Sequence, residues 1–282
     1  MKINIAKSAG FCFGVKRAIN IAGQLAAKEK NIFMLGDIVH NEDVVRQLKR
    51  LGIKKIRKLS KRRNAILLIR AHGVPKSIQE KAVALGYRIM DATCPMVKHI
   101  HRKAIEHELK GYHIILIGSR NHDEVRGICG QLKGNALVIE GMEKLPFSEI
   151  PRVSKIAVLV QSTQNEANVT GILKRLRRHN RNLKFIDTIC MPTKIKQQEI
   201  KRMPYENDVM IIIGSKTSAN TKRLFEISRS INRKTHWIQE KNQIKRTWFR
   251  NVKKTGISAG ASTPDVKIKE IYSHIRKLTR PG

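Results

Sequence analysis

Acidic residues are scarce in this sequence of 282 residues: 22 Asp and Glu stand against 57 Lys and Arg, a formal charge of +35. Aromatic residues are scarce too, at 5%, and they are not interleaved with the basic clusters as the stacking platforms of single-strand nucleic-acid binders are. There is no zinc-finger spacing, no aromatic signature of an RNA-recognition sheet and no basic heptad repeat. No apolar run approaches the roughly 18 residues needed to cross a bilayer, so no membrane-spanning segment and no membrane partner are expected. The opening Met-Lys-Ile-Asn-Ile-Ala-Lys-Ser breaks its apolar residues with polar ones and lacks a signal-peptide core, so a cytoplasmic location is the expectation. Cysteines number four, at 12, 94, 129 and 190. They lack the close pairing of zinc sites, and without an export signal disulfides are not expected.

What is present argues for a folded protein. Apolar residues make up 41% and charged residues 28%, which excludes a disordered basic tail, and the length suits two or three domains. The densest basic stretches are Lys49–Arg63, Lys174–Lys184 and Lys267–Arg280, with the remaining charge spread along almost every helix-like segment. Nucleic-acid proteins concentrate theirs in a patch or stripe. These runs read as solvated faces and loops. Incidental nucleic-acid binding at low salt is expected of any chain this basic, but no specific nucleic-acid partner.

Short apolar runs alternate with amphipathic stretches, the pattern of an α/β protein with parallel strands. Strands are expected at Ile32–Leu35, Ala65–Ile69, Arg88–Met90, His113–Ile117, Ala136–Ile139, Ile156–Val160, Lys184–Ile186, Val209–Ile213 and Thr255–Ser258. Helices are expected among other places at Val15–Glu29, Asp43–Leu51, Lys76–Leu85, Val97–Lys110 and Asn220–Ile231.

A repeat underlies the alternation. Ile32-Phe33-Met34-Leu35-Gly36, Ile114-Ile115-Leu116-Ile117-Gly118 and Ile211-Ile212-Ile213-Gly214 each end an apolar strand at Gly, with His40, His122 or Ser218 four residues on and a helix pattern beyond. These three polar residues are read as equivalent positions. Loops at the carboxyl ends of parallel strands are where α/β folds bind ligands. A looser second set ends strands at Arg70-Ala71-His72-Gly73, Gln161-Ser162-Thr163 and Gly260-Ala261-Ser262. A third set carries sulfur: Asp91-Ala92-Thr93-Cys94 and Asp187-Thr188-Ile189-Cys190 share D-x-x-C, and Cys12 is the remaining copy, displaced to the N-terminus. The expected domains are 13–94, 95–188, and 1–12 together with 189–282.

Three thiols from three repeats suit an iron–sulfur cluster with one iron lacking a protein ligand. Standard clusters take four Cys, whereas an open iron can bind a substrate oxygen directly. A single catalytic thiol would not explain two D-x-x-C copies. Cys129, outside the pattern in Gly127-Ile128-Cys129-Gly130, is either a fourth ligand or a buried small residue, and the latter is the plainer reading.

The motifs Gly10-Phe11-Cys12-Phe13-Gly14-Val15, Val39-His40-Asn41, Ala71-His72-Gly73-Val74, Asp91-Ala92-Thr93-Cys94-Pro95, His122-Asp123-Glu124-Val125, Gly214-Ser215-Lys216 and Ala259-Gly260-Ala261-Ser262-Thr263-Pro264-Asp265 resemble, in order, the 4-hydroxy-3-methylbut-2-enyl diphosphate reductase family. The resemblance implies a trefoil of three similar α/β domains with parallel sheets around a central iron–sulfur cluster. It implies one 4Fe–4S cluster on Cys12, Cys94 and Cys190, and a two-electron, two-proton removal of an allylic hydroxyl giving isopentenyl and dimethylallyl diphosphates. Glu124 matches the family's proton-relay acid, with Ser162 and Thr163 beside the substrate hydroxyl. His40, His72, His122, Ser218, Ala219, Asn220 and Ser262 match positions that hold the diphosphate. A ferredoxin or flavodoxin donor is implied as partner.

The chain departs from the family's pattern in places. Ala219 stands where Ser is usual, Ser162 where Thr is usual and Asp123 where Pro is usual, and Met191–Gln197 is looser than the family's Thr-Asn-Arg-Gln run. Two alternatives stand beside this reading. One is another three-Cys trefoil enzyme similar to quinolinate synthase, which does not account for the Ala-Gly-Ala-Ser-Thr-Pro-Asp stretch. The other is a basic nucleic-acid-binding protein without a cluster.

Overall fold

Apolar runs only four or five residues long are too short for helices, and their Ile, Val and Leu content is that of strands covered on both faces of a parallel sheet. The computed structural model describes residues 1–143, 145, 147–150 and 155–279; Arg280, where the last basic stretch ends, lies outside them. In chain order the elements begin with β1 (Lys2–Ile5), α1 (Phe13–Lys28), β2 (Ile32–Leu35), α2 (Glu42–Arg50), β3 (Lys54–Ile56), β4 (Ala65–Ile69), α3 (Lys76–Ala84) and β5 (Tyr87–Asp91). There follow α4 (Pro95–Leu109), β6 (His113–Ile117), α5 (Asp123–Cys129), β7 (Leu137–Ile139), β8 (Ile156–Val160), α6 (Glu166–His179) and β9 (Lys184–Phe185). The last are α7 (Met191–Glu206), β10 (Val209–Ile213), α8 (Ala219–Ile231), β11 (Thr235–Ile238), β12 (Lys254–Ala259) and α9 (Asp265–Leu278).

The strands form three four-stranded parallel sheets, ordered β3-β2-β4-β5, β7-β6-β8-β9 and β11-β10-β12-β1. The order is the same each time, except that the fourth place in the last sheet is filled by the N-terminal strand. The protein is an α/β fold of three like sheets. Both faces of a sheet are covered, as all-parallel pairing requires. Ile115, Ile117, Val158 and Val160 pack on Val169, Ile172 and Leu176 of α6, while Ile114, Leu116 and Leu159 face Ile100 of α4 and Val125 and Ile128 of α5. In the last sheet Ile211, Ile213 and Ile257 pack with Ile268, Ile271 and Ile275 of α9. Met210 and Ile212 pack with Ile200 of α7 and Leu224 of α8.

Strands β1, β3 and β11 were not expected from the sequence. All three are sheet edges, hydrogen-bonded on one side only, and their sequences Lys-Ile-Asn-Ile, Lys-Lys-Ile and Thr-His-Trp-Ile carry too few apolar residues to read as covered strands. The chain divides into two compact units. One takes in Met1–Val15, His40–Val44 and the chain from Met191 on, with the last sheet; the other takes in Lys16–Val39 and Val45–Cys190, with the first two. Among the described residues no helix is long and apolar enough to cross a membrane.

Candidate functional site

Each of the three thiols that the repeats single out lies immediately before a helix: Cys12 before α1, Cys94 before α4 and Cys190 before α7. Each also follows the fourth strand of its sheet, β1, β5 or β9. The backbone N–H of Cys94 donates to Ala71 O at 2.9 Å, that of Cys190 to Ser162 O at 3.1 Å and that of Cys12 to Ala261 O at 3.0 Å. These carbonyls lie two residues past the ends of β4, β8 and β12. The turn presenting them is the same in every copy: Gly73 N–H to Arg70 O, Gln164 N–H to Gln161 O and Thr263 N–H to Gly260 O, each 3.0 Å. Cys12 is therefore the permuted third copy, with β1 in the place of β5 and β9.

The three thiols are half-buried, and no cysteine is in a disulfide. Each of the three is a soft donor at a helix N-terminus, whose dipole favours negative charge, and each by itself has the chemistry of a ligand to an anionic iron–sulfur cluster. Cys129 has no such place. It ends α5, packed against the core that holds Ile114, Leu116, Val125 and Ile128, and burial pushes its thiol pKa up.

The helix-opening loops repeat as well. Gly36, Gly118 and Gly214 N–H donate to the last carbonyl of the neighbouring strand, Ile56, Ile139 and Ile238, at 3.4, 2.9 and 3.0 Å. His122 then caps α5, its Nδ1 accepting Glu124 N–H at 3.1 Å, and Ser218 caps α8, its Oγ accepting Thr221 N–H at 3.3 Å. In the first copy the loop is one residue longer. There Asn41 Oδ1 accepts Val44 N–H at 3.1 Å, so His40 precedes the cap instead of forming it, and its equivalence to His122 and Ser218 is offset by one position.

Ser262 Oγ donates to His40 O at 3.0 Å, bringing two expected site residues together. Ala219, half-buried, opens α8. Asn220 beside it is 4% exposed, and its Nδ2 has no hydrogen-bond partner among the described residues. A buried donor left in that state costs roughly 1–3 kcal/mol, which a ligand oxygen would offset.

Glu124 is 2% exposed, on the first turn of α5. Its Oε1 accepts Ser162 N–H at 2.6 Å and its Oε2 accepts Ser162 Oγ–H at 2.8 Å. Because Ser162 O takes the Cys190 N–H, one serine joins the acid to the backbone of a thiol. Burial raises the Glu124 pKa above the ordinary carboxylate value, and the two bonds from Ser162 pull against it without cancelling it. Thr163, half-buried, accepts at Oγ1 from Gln161 Nε2 at 3.2 Å.

His72 and His122 meet edge to face, ring centroids 5.4 Å apart. Arg70 ties their two loops: it donates to Asp123 Oδ2 at 2.6 Å and through Nε to Gly73 O at 3.3 Å. Asp123 thus holds its loop to that of His72 through an ion pair. Arg70 went unread in the sequence, although its place two residues before His72 was the available signal. Lys196 and Glu199 on α7 also went unread.

A family model described as LytB protein matches residues 3–276. A 4-hydroxy-3-methylbut-2-enyl diphosphate reductase of Aquifex aeolicus is 38% identical over 280 residues, 98% of this chain and 96% of its own length. The reductase of that name from Clostridioides difficile is 36% identical over 280 residues, 99% of this chain and 100% of its own. Among solved structures, an (E)-4-hydroxy-3-methyl-but-2-enyl diphosphate reductase, described as the terminal enzyme of the non-mevalonate pathway, matches with TM-score 0.73 at 37% identity, over 98% of this chain and 100% of that one. The E-1-hydroxy-2-methyl-but-2-enyl-4-diphosphate reductase of Plasmodium falciparum matches with TM-score 0.91 at 26% identity, over 99% of this chain and 88% of that one. With sheets, loops and nearly the full length in agreement, the chain belongs to the LytB family.

Proposed function

We propose that the chain reductively removes the allylic hydroxyl of (E)-4-hydroxy-3-methylbut-2-enyl diphosphate. Two electrons and two protons enter, and water leaves with isopentenyl or dimethylallyl diphosphate. Cys12, Cys94 and Cys190 would hold one 4Fe–4S cluster, which supplies the electrons and a Lewis-acidic iron when bound. The observation that carries the reading is the buried Glu124–Ser162 pair, bonded in turn to the backbone of Cys190.

The hydroxyl is a poor leaving group and needs protonation as it departs. Burial raises the Glu124 pKa, which favours the protonated form more than in an exposed carboxylate. Ser162 Oγ is 2.8 Å from Glu124 Oε2; for the relay this bond reverses, the protonated carboxyl donating to Oγ while the serine hydroxyl donates to the substrate oxygen, with Thr163 beside it. The diphosphate is taken by His40, His72, His122, Ser218, Asn220 and Ser262, while Ala219 adds no hydroxyl. His122 Nδ1 accepts the Glu124 N–H, so the neutral ring carries its proton on Nε2, the form in which it donates to a phosphate oxygen. Asn220 Nδ2 is a second such donor.

In this reading domains 13–94, 95–188 and 1–12 with 189–282 form a trefoil about the cluster, in a cytoplasmic enzyme that draws electrons from a ferredoxin or flavodoxin. Chain purified without oxygen is expected to hold about four irons, the complement of one such cluster, and to convert the hydroxylated diphosphate with reduced viologen as donor. A colourless protein without iron, or a cluster protein that leaves this substrate untouched, overturns the proposal.

A further inference from the structure

The three thiol loops are pinned by different means. Two residues separate the end of β5 from Cys94, and four separate the end of β9 from Cys190. In both, the Asp of D-x-x-C accepts the N–H of the residue before the thiol: Asp91 Oδ1 from Thr93 at 2.8 Å, Asp187 Oδ1 from Ile189 at 3.1 Å. Six residues separate the end of β1 from Cys12, and none of them is acidic. The permuted copy has a longer lead-in and lacks the aspartate that fixes the other two.

Helix α7 occupies that role from outside the loop. Glu199 Oε1 accepts Lys7 N–H at 2.6 Å, and its Oε2 accepts Ser8 N–H at 2.9 Å and Ser8 Oγ–H at 2.5 Å. One turn earlier, Lys196 is 3% exposed. Its Nζ donates to Gly10 O at 3.0 Å, to Ala259 O at 3.4 Å and to Ser8 O. These three carbonyls match the three protons of an ammonium. Gly10 itself has φ +95°, and a Cβ there would meet Asp265 Oδ1 at 2.5 Å, so the loop holds a conformation that needs fixing. A buried ammonium is costly unless every proton is accepted. Five atoms of a seven-residue loop are therefore grasped by two adjacent turns of one helix.

We propose that Lys196 and Glu199 are positioning residues for Cys12, replacing in the permuted repeat the Asp turn that sets Cys94 and Cys190. The proposal rests on the reading of Cys12 as a cluster ligand. Lys196→Met and Glu199→Gln each remove one arm of the clamp, and Ser8→Ala removes a single hydroxyl bond, a change too small to unfold the chain. In the full-length apoprotein, alkylation of the Cys12 thiol, followed by peptide mass spectrometry, is expected to quicken about tenfold in the first two variants and severalfold in the third. Cys94 and Cys190 should keep their wild-type rates. In the iron-loaded protein the same variants should lose iron to a chelator about tenfold faster and alter the electron paramagnetic resonance signal of the reduced cluster. Unchanged Cys12 labelling in the folded variants, or an equal rise at all three thiols, overturns the clamp. Wild-type chain that binds no iron fells the reductase reading instead, while the labelling still decides whether the clamp exists.

Discussion

At the scale of single residues, Glu124 does two opposed things. Its carboxyl is buried, which disfavours its charged form, yet both oxygens are engaged by one serine. Glu124→Gln keeps the shape and both contacts but cannot release a proton, so iron content should stay at the wild-type level while turnover falls by about 10²-fold or more. Stability should move the other way. A carboxyl whose pKa is raised in the folded state contributes in full below the ordinary value of 4.5 and loses that contribution as pH climbs toward the raised value. The melting temperature of Glu124→Gln apoprotein should therefore gain on wild type as pH rises from about 4 to about 8. A constant difference across that range would show that Glu124 titrates normally. Arg70 and Asp123 hold the His72 and His122 loops by their pair. Asp123→Asn should raise KM for the diphosphate by roughly fivefold, from about 1 kcal/mol of lost positioning, with kcat little changed.

At the scale of elements, what sequence reveals follows burial. Strands β2, β4, β6, β8 and β10 sit inside their sheets and are built on apolar runs, so they are legible. The edge strands β1, β3 and β11 face one neighbour and solvent, and their polar residues disguise them. The repeat was legible in the glycines, the D-x-x-C pairs and the small-residue turns because each performs a local task that constrains local residues. The offset at His40 was not, because one inserted residue shifts the cap to Asn41 without changing composition. The clamp on the Cys12 loop was not either. Lys196 and Glu199 read as ordinary helix charges until the chain folds back by almost two hundred residues. The first turn of α8 offers a test at this scale. Ala219→Ser places a hydroxyl beside Asn220 at the helix N-terminus and should lower KM for the diphosphate by severalfold, at about 0.5–1.5 kcal/mol for one neutral hydrogen bond. Steady-state kinetics on the loaded enzyme decides it.

At the scale of the whole molecule, the charge of +35 acts at long range, whereas the His, Ser and Asn residues proposed to take the diphosphate draw on it little. It should steer an acidic donor protein. The kcat/KM measured with such a donor should fall about tenfold between roughly 50 and 200 mM salt, and the rate with cationic reduced viologen should not. Equal salt response for the two donors would assign the charge to composition alone. The pairing of β1 with β12, which sets Lys2 against Lys254 and Ile5 against Ile257, has a consequence in time. A ribosome adding about 5–20 residues per second separates the birth of these two strands by tens of seconds. The strand leading to Cys12 emerges first and finds its seat last. A nascent chain can complete its first two sheets while the third waits, so the third repeat closes only when synthesis has passed residue 259.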